Sequence, residues 1–274
     1  MFTHTKKLQY HAKPSKPDPL MAKKLQEILG GQYGEMSVMN QYLFQGWNTR
    51  GNEKFKDMLL DTGTEEIGHI EMIATMIAQL LDDAPVDAQE NAYKSDPAVA
   101  AIMGGMNPQH AIVNGLGAAP KDSVGVPWNG NYIISSGNLL ADLRANINAE
   151  SQGRLQVSRL YHMTDDPGVR DMLGFLLARD TMHQLQWIEA AKEIEDREGI
   201  VVPYDVPADW EVKEVNNILY NFSEGEESKS MVEGKKAADG REFRYESTPV
   251  AFADKPILKP APPSLHNSTP MDKM

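Results

Sequence analysis

The stretch TGTEEIGHIEMIATM, residues 62–76, sets Glu66 and His69 among residues patterned like the buried face of a helix. Read in alternating three- and four-residue steps, the segment places Leu59, Thr62, Glu66, His69, Ile73, Met76 and Leu80 on one stripe. The stripe is apolar toward its ends and ionisable in its middle. A carboxylate facing a core loses several kcal/mol of hydration unless it is compensated. The reading of this stretch therefore depends on what the rest of the chain sets against it.

Three further helical stripes show the same interruption. A first helix starts at Asp18, a capping residue, and Pro19, suited to the first helical position, and runs to Gly51 and Asn52. Its stripe is Leu25, Ile28, Gln32, Glu35, Met39, Tyr42 and Gly46. The helix that carries Glu66 starts at Asn52 and ends near Asp83, before Pro85. A third runs from about Gly137 to Met163, with Leu139, Leu143, Asn146, Glu150, Gly153, Val157 and Leu160 in line. A fourth opens on Asp166 and Pro167 and continues to about Glu198, with Val169, Leu173, Leu176, Asp180, His183, Trp187, Ala190 and Ile194 in line. Short turns make sequential helices antiparallel neighbours, so the middles of the four stripes meet at one level. The expectation is an all-α, ferritin-like four-helix bundle over residues 1–199. A long Gly-, Pro- and Asn-rich crossover, 84–137, joins its second and third helices. Residues 200–274 are polar and Pro-rich and are expected to form an extended C-terminal arm packing on neighbouring subunits, with the last 20 residues equally compatible with a disordered tail.

Glu35, Glu66, His69, Glu150, Asp180 and His183 then converge. A lone Glu on a stripe usually marks a misassigned face, and a lone core His is usually structural. The same anomaly at mid-height in four helices is neither. Four carboxylates at one point repel, and two divalent cations relieve that repulsion better than protonation, because carboxylates and imidazoles are metal ligands. A Glu from each of two helices with an acid-x-x-His pair from each of the others is the dimetal arrangement of such bundles. Asp180 is shorter than Glu, so five ligands are expected: Glu35, Glu66, His69, Glu150 and His183, with Glu66 bridging. Asp180 is left to move protons. Glu65 and Glu71 fall off the stripe and read as surface or outlying acids, and Arg179 as a neutralising cation.

The bulk composition narrows the alternatives. An apolar content of 41% suits a folded core. A balance of 27 basic against 39 acidic residues, net −12, argues against nucleic-acid binding. The absence of cysteine removes disulfides, thiolate metal sites and thiol nucleophiles. No apolar run is long enough for a bilayer and no signal-peptide core stands at the start, so no membrane partner and a cytoplasmic location are expected.

The segments MFTHTKKLQY, GGQYGEMSVMNQYLFQGW, EEIGHIEM, NAESQGRLQ and RDTMHQLQW resemble the manganese, or non-haem, catalases, and they span the start and all four helices. The resemblance implies two manganese ions on the five ligands named above and hydrogen peroxide as substrate, one molecule reduced to water and a second oxidised to dioxygen. It implies Tyr42 as a tyrosine just behind the ligands. Well-studied members carry glutamate at the position of Asp180, and some carry arginine at the position of Ala149. The resemblance further implies a calcium ion on Asp57, Asp61, Asn221, Ser223 and Gly225, and a homohexamer. Alternatives are a spore-coat-like structural member of the family and a diiron oxidase or iron-binding ferritin-like protein.

Overall fold

A computed structural model of the chain describes residues 3–82, 105, 107–207, 209–259 and 261–266. Much of the first half of the 84–137 crossover, and the end of the C-terminal arm, lie outside the described residues. The helices are α1 (Pro19–Gly30), α2 (Glu35–Asn48), α3 (Glu53–Leu81), the short α4 (Pro108–Ile112), α5 (Leu139–His162) and α6 (Pro167–Glu198). The expected starts carry real caps. Asp18 accepts from the Met21 amide, Asn52 from Lys54, Asn138 from Ala141, and Asp166 from Gly168 and Val169. Helix α2 packs along α3 and α5 along α6, with α1 also against α3. The result is a ferritin-like helical bundle.

One expectation is corrected. The segment from Pro19 to the Gly51 turn is two helices, broken at residues 31–34. The break is a packing requirement of glycines. A Cβ on Gly30 would overlap the Lys121 carbonyl, one on Gly31 the Glu27 carbonyl, and one on Gly34 would come within 2.8 Å of the Ile28 carbonyl. The stripe drawn through the break is wrong at Gln32, which is exposed. Glu35 becomes the first residue of α2, where the helix dipole favours a carboxylate.

The bundle interior falls into two apolar clusters. One is built around Leu25, Ile28, Met72, Met76, Leu80, Met172 and Leu176, the other around Val38, Tyr42, Leu59, Leu143, Trp187 and Ile194. Between them in sequence, on α2, α3, α5 and α6, lie the buried Glu35, Glu66, His69, Glu150, Asp180 and His183.

The second half of the crossover is tied down by side-chain amides. Buried Gln26 donates to the carbonyls of Ala119 and Lys121 and accepts from the Ala119 amide. A closed ring holds residue 134. Gln41 donates to Asn146 (2.8 Å), Asn146 to Gln45 (2.7 Å), Gln45 to the Ile134 carbonyl (2.8 Å), and the Ile134 amide back to Gln41 (2.9 Å).

The chain divides into two compact units, residues 1–204 and 205–274. The second holds a parallel pair of short strands, β1 (Ile218–Tyr220) and β2 (Arg244–Glu246), and a terminal turn of helix, α7 (Pro263–His266). Its one buried hydrophobic side chain among the described residues is Val232.

Substituting Gly30→Ala is expected to lower unfolding stability by about 1–3 kcal/mol through overpacking. Gly174→Ala, where a Cβ meets nothing within 4 Å in mid-α6, should raise it by ~0.5–1 kcal/mol. Denaturant titration of both variants checks the contrast.

Candidate metal centre

The 3.6-residue repeat delivers each group to the interior. On α3, Glu66 and His69 are one step apart on the buried face, and on α6 Asp180 and His183 are spaced alike. Glu35 comes from the start of α2 and Glu150 from the middle of α5. All six are buried, His69 and His183 to within 1% of complete.

Ligand-capable atoms gather in two triads, Glu35–Glu66–His69 and Glu66–Glu150–His183, with Glu66 common to both. The two Glu66 oxygens face opposite ways. Oε2 lies 2.5 Å from His69 Nδ1 and Oε1 lies 2.9 Å from His183 Nδ1. Glu35 Oε2 is 3.8 Å from His69 Nδ1, and Glu150 Oε1 is 3.7 Å from His183 Nδ1. The imidazole rings lie nearly parallel, 5.7 Å apart. Despite these short approaches, Glu66 Oε2 and both Nδ1 atoms have no partner in hydrogen-bond geometry. Buried polar atoms that converge without bonding one another are what a cation would satisfy. The oxygen and imidazole donor set fits a pair of divalent transition ions, with carboxylate oxygens suiting manganese.

Electrostatics point the same way. Burial and the nearby Glu66 push Glu35 up to about 8. Burial, with Glu66 and Asp180, raises Glu150 well above the usual carboxylate range. Burial, with Glu35 and Glu66, does the same to Asp180. Burial works against the charge on Glu66 too, but His69 and His183 outweigh it and hold that carboxyl below its usual range. For His183 burial is outweighed by Glu65 and Glu66, which push it up to about 10.

Asp180 belongs to neither triad. It lines a small cavity of ≈ 10 Å³ with Glu35, Glu150, Tyr33 and Ala149, about the space one water-sized molecule needs. The Tyr42 hydroxyl donates to Glu150 Oε1 at 2.5 Å. Asp57 and Asp61 are exposed on α3. Asn221, Ser223 and Gly225 close a turn of their own: the Asn221 amide donates to the Gly225 carbonyl, and its oxygen accepts from the Ser223 backbone.

Glu65 is the residue the stripe misses. Its Oε2 accepts from His183 Nε2 (3.0 Å) and Arg179 (3.1 Å). Its Oε1 accepts from Arg179 Nε (2.7 Å) and Gln9 (2.7 Å), and lies 3.7 Å from His69 Nε2. A signal is present in the sequence. Glu65 and Arg179 each sit one residue before a stripe acid, Glu66 and Asp180, and so flank the site on two helices.

Fold and site together define a class: ferritin-like helical bundles with a carboxylate- and histidine-lined pocket at mid-height. Residues 1–274 match the family described as manganese containing catalase, and the chain belongs to that family. It is 65% identical over 271 residues to a manganese catalase of Bacillus subtilis, covering 98% of this chain and 99% of that protein. It is 54% identical over 267 residues to a manganese catalase of Lactiplantibacillus plantarum, covering 97% and 99%. The crystal structure of KatB, a manganese catalase from Anabaena, matches with a TM-score of 0.69 at 27% identity, over 91% of this chain and 100% of that one.

The shifts fix the sign of a pH effect on metal-free protein. Glu35 and His183 bind protons more tightly folded than unfolded. Their stabilising contribution is therefore complete below the unfolded values and lost as pH rises, through about 8 for Glu35 and about 10 for His183. Chelated protein is expected to unfold at lower denaturant concentration at about pH 9 than at about pH 6. Metal-loaded protein should lose less over that range, since cations compete with those protons. Denaturation midpoints of both forms at each pH test it.

Proposed function

We propose that the chain is a dimanganese catalase that disproportionates hydrogen peroxide to water and dioxygen. The observation that carries the proposal is the shared Glu66, one oxygen toward each histidine in two overlapping buried triads, in a member of the manganese containing catalase family. Glu35, Glu66 and His69 would hold one ion, and Glu66, Glu150 and His183 the other. When bound, the pair supplies two-electron cycling between the reduction of one peroxide and the oxidation of the next.

The chain's own residues handle position, water and protons. The two apolar clusters limit bulk water around the polar layer. Reduction of one peroxide to two waters consumes two protons, and oxidation of another to dioxygen releases two. Asp180, buried beside the cavity that Glu35 and Glu150 also line, is placed to hold a proton between the two halves. Ala149 leaves that cavity without the arginine some members have there. Tyr42 fixes the orientation of Glu150 through its hydroxyl.

The reading extends to a homohexamer in the cytoplasm, with a bundle domain over 1–199 and residues 200–274 as an arm on neighbouring subunits. No helix among the described residues is long and apolar enough to cross a membrane. The family resemblance also implies a calcium ion, for which Asp57, Asp61, Asn221, Ser223 and Gly225 carry oxygen ligands of a suitable kind.

Manganese-loaded protein is expected to release oxygen from peroxide. Glu66→Ala and His69→Ala should each cut that release by more than about 100-fold, the upper end of what losing an outer hydrogen-bond partner costs a metal site. Asp180→Asn should cost about 100-fold or more with metal content unchanged, the scale of a lost proton-transfer group. Loaded wild-type protein that released no oxygen would sink the catalase reading. Iron in place of manganese, in protein purified without added metal, would favour the diiron alternative.

A further inference from the structure

We infer that Glu65 is a positioning residue shared by both histidines, holding each as the tautomer with its proton on Nε2 and its Nδ1 lone pair turned to the triads. The inference rests on the metal-site reading given above, and it concerns a residue that the helical repeat places off the buried stripe.

An imidazole presents one nitrogen as donor and the other as acceptor, and the partner of one nitrogen sets the role of the other. His69 and His183 both direct Nδ1 at Glu66, and both direct Nε2 at Glu65. For His183 the outer contact is a 3.0 Å hydrogen bond. For His69 it is 3.7 Å, and buried Nε2 has no hydrogen-bond partner among the described residues. An ionised carboxylate only accepts, so the bonded His183 Nε2 must carry its proton, and the charge of Glu65 3.7 Å away favours the same tautomer in His69. Each Nδ1 is then free to donate its lone pair to a cation. Glu65 is itself fixed. Arg179 grips both oxygens and Gln9, from the segment before α1, adds a third donor. Every side-chain neighbour that fixes it is a donor, so both oxygens are held as acceptors. One carboxylate therefore orients one ligand in each triad.

A carboxamide breaks this symmetry. In Glu65→Gln one acceptor oxygen remains and an NH2 takes the other place. The oxygen is best kept where Glu65 Oε2 now meets His183. Either placement sets the NH2 against one Arg179 N–H, but at the Oε1 position the second donor is the Gln9 amide, which can turn to accept from it. There the NH2 opposes His69 Nε2–H and drives the His69 proton to Nδ1, which can no longer ligate.

The test is metal content and manganese EPR on full-length protein loaded with divalent manganese. Wild type should hold two ions per chain with the spectrum of a coupled pair. Glu65→Gln should hold about one, with the spectrum of an isolated ion. Glu65→Ala, which removes both acceptors, should weaken both sites by about 10–100-fold. Glu71→Gln, an equal loss of charge on an acid that pairs with His4 instead, should keep the coupled pair. Unfolding of the chelated variants reports whether each one folds. A folded Glu65→Gln protein that kept two ions and the coupled spectrum would overturn the inference. So would equal losses in Glu65→Gln and Glu65→Ala, which would reduce Glu65 to a bulk charge. Wild type that binds the pair yet releases no oxygen would sink the catalase reading and leave this inference intact.

Discussion

Four carboxylates and two imidazoles buried in one layer are the constraint on which the rest of this structure depends. Each group is costly to remove from water, and together the acids repel. The layer is held by long helices whose apolar residues on either side form separate clusters. Those clusters supply the burial free energy that keeps the helices in place, and so keep Glu66 between two histidines. Positive charge is provided locally in small amounts, as in the Arg179–Glu65 pair, and among the described residues the shared Glu66 has only the two imidazoles beside it, with no lysine or arginine ion pair. The arrangement leaves a deficit of cationic charge at its centre, in the place where the chain offers ligand atoms without hydrogen-bond partners.

Much of this is legible in the sequence because α3, α5 and α6 carry unbroken helical repeats. An ionisable residue in an otherwise apolar stripe is visible against such a background, and Glu66, His69, Glu150, Asp180 and His183 stand out that way. The break between α1 and α2 is not legible. It depends on glycine backbones meeting Lys121, some 90 positions away, and Glu27 and Ile28 across a turn. A periodic reading carries straight through such a point, and so it misplaces Gln32. Peroxide and manganese are nowhere in the periodicity; they enter through family motifs.

Glu65 shows a different limit. A stripe selects residues by direction from one helix axis, and Glu65 points away from it. It reaches the site through side-chain length and through Arg179 on the neighbouring helix. Partnerships between helix flanks depend on which helices are neighbours, and a single stripe does not carry that information. The C-terminal unit holds a single buried hydrophobic side chain among the described residues, Val232. Its parallel strand pair joins segments about 25 residues apart, beyond the reach of any local pattern.

The amide ring of Gln41, Asn146, Gln45 and residue 134 constrains the history of this sequence. Every member gives one hydrogen bond and takes one, all in the same sense around the ring. Replacing one side chain would strand a donor on one neighbour and an acceptor on the next, and Gln41, Gln45 and Asn146 are all buried. Intermediates with a single change are therefore less fit than either end point. Positions 41, 45 and 146 should drift as a set across descendants of this chain, leaving a correlated trace among relatives that neither helix would produce alone.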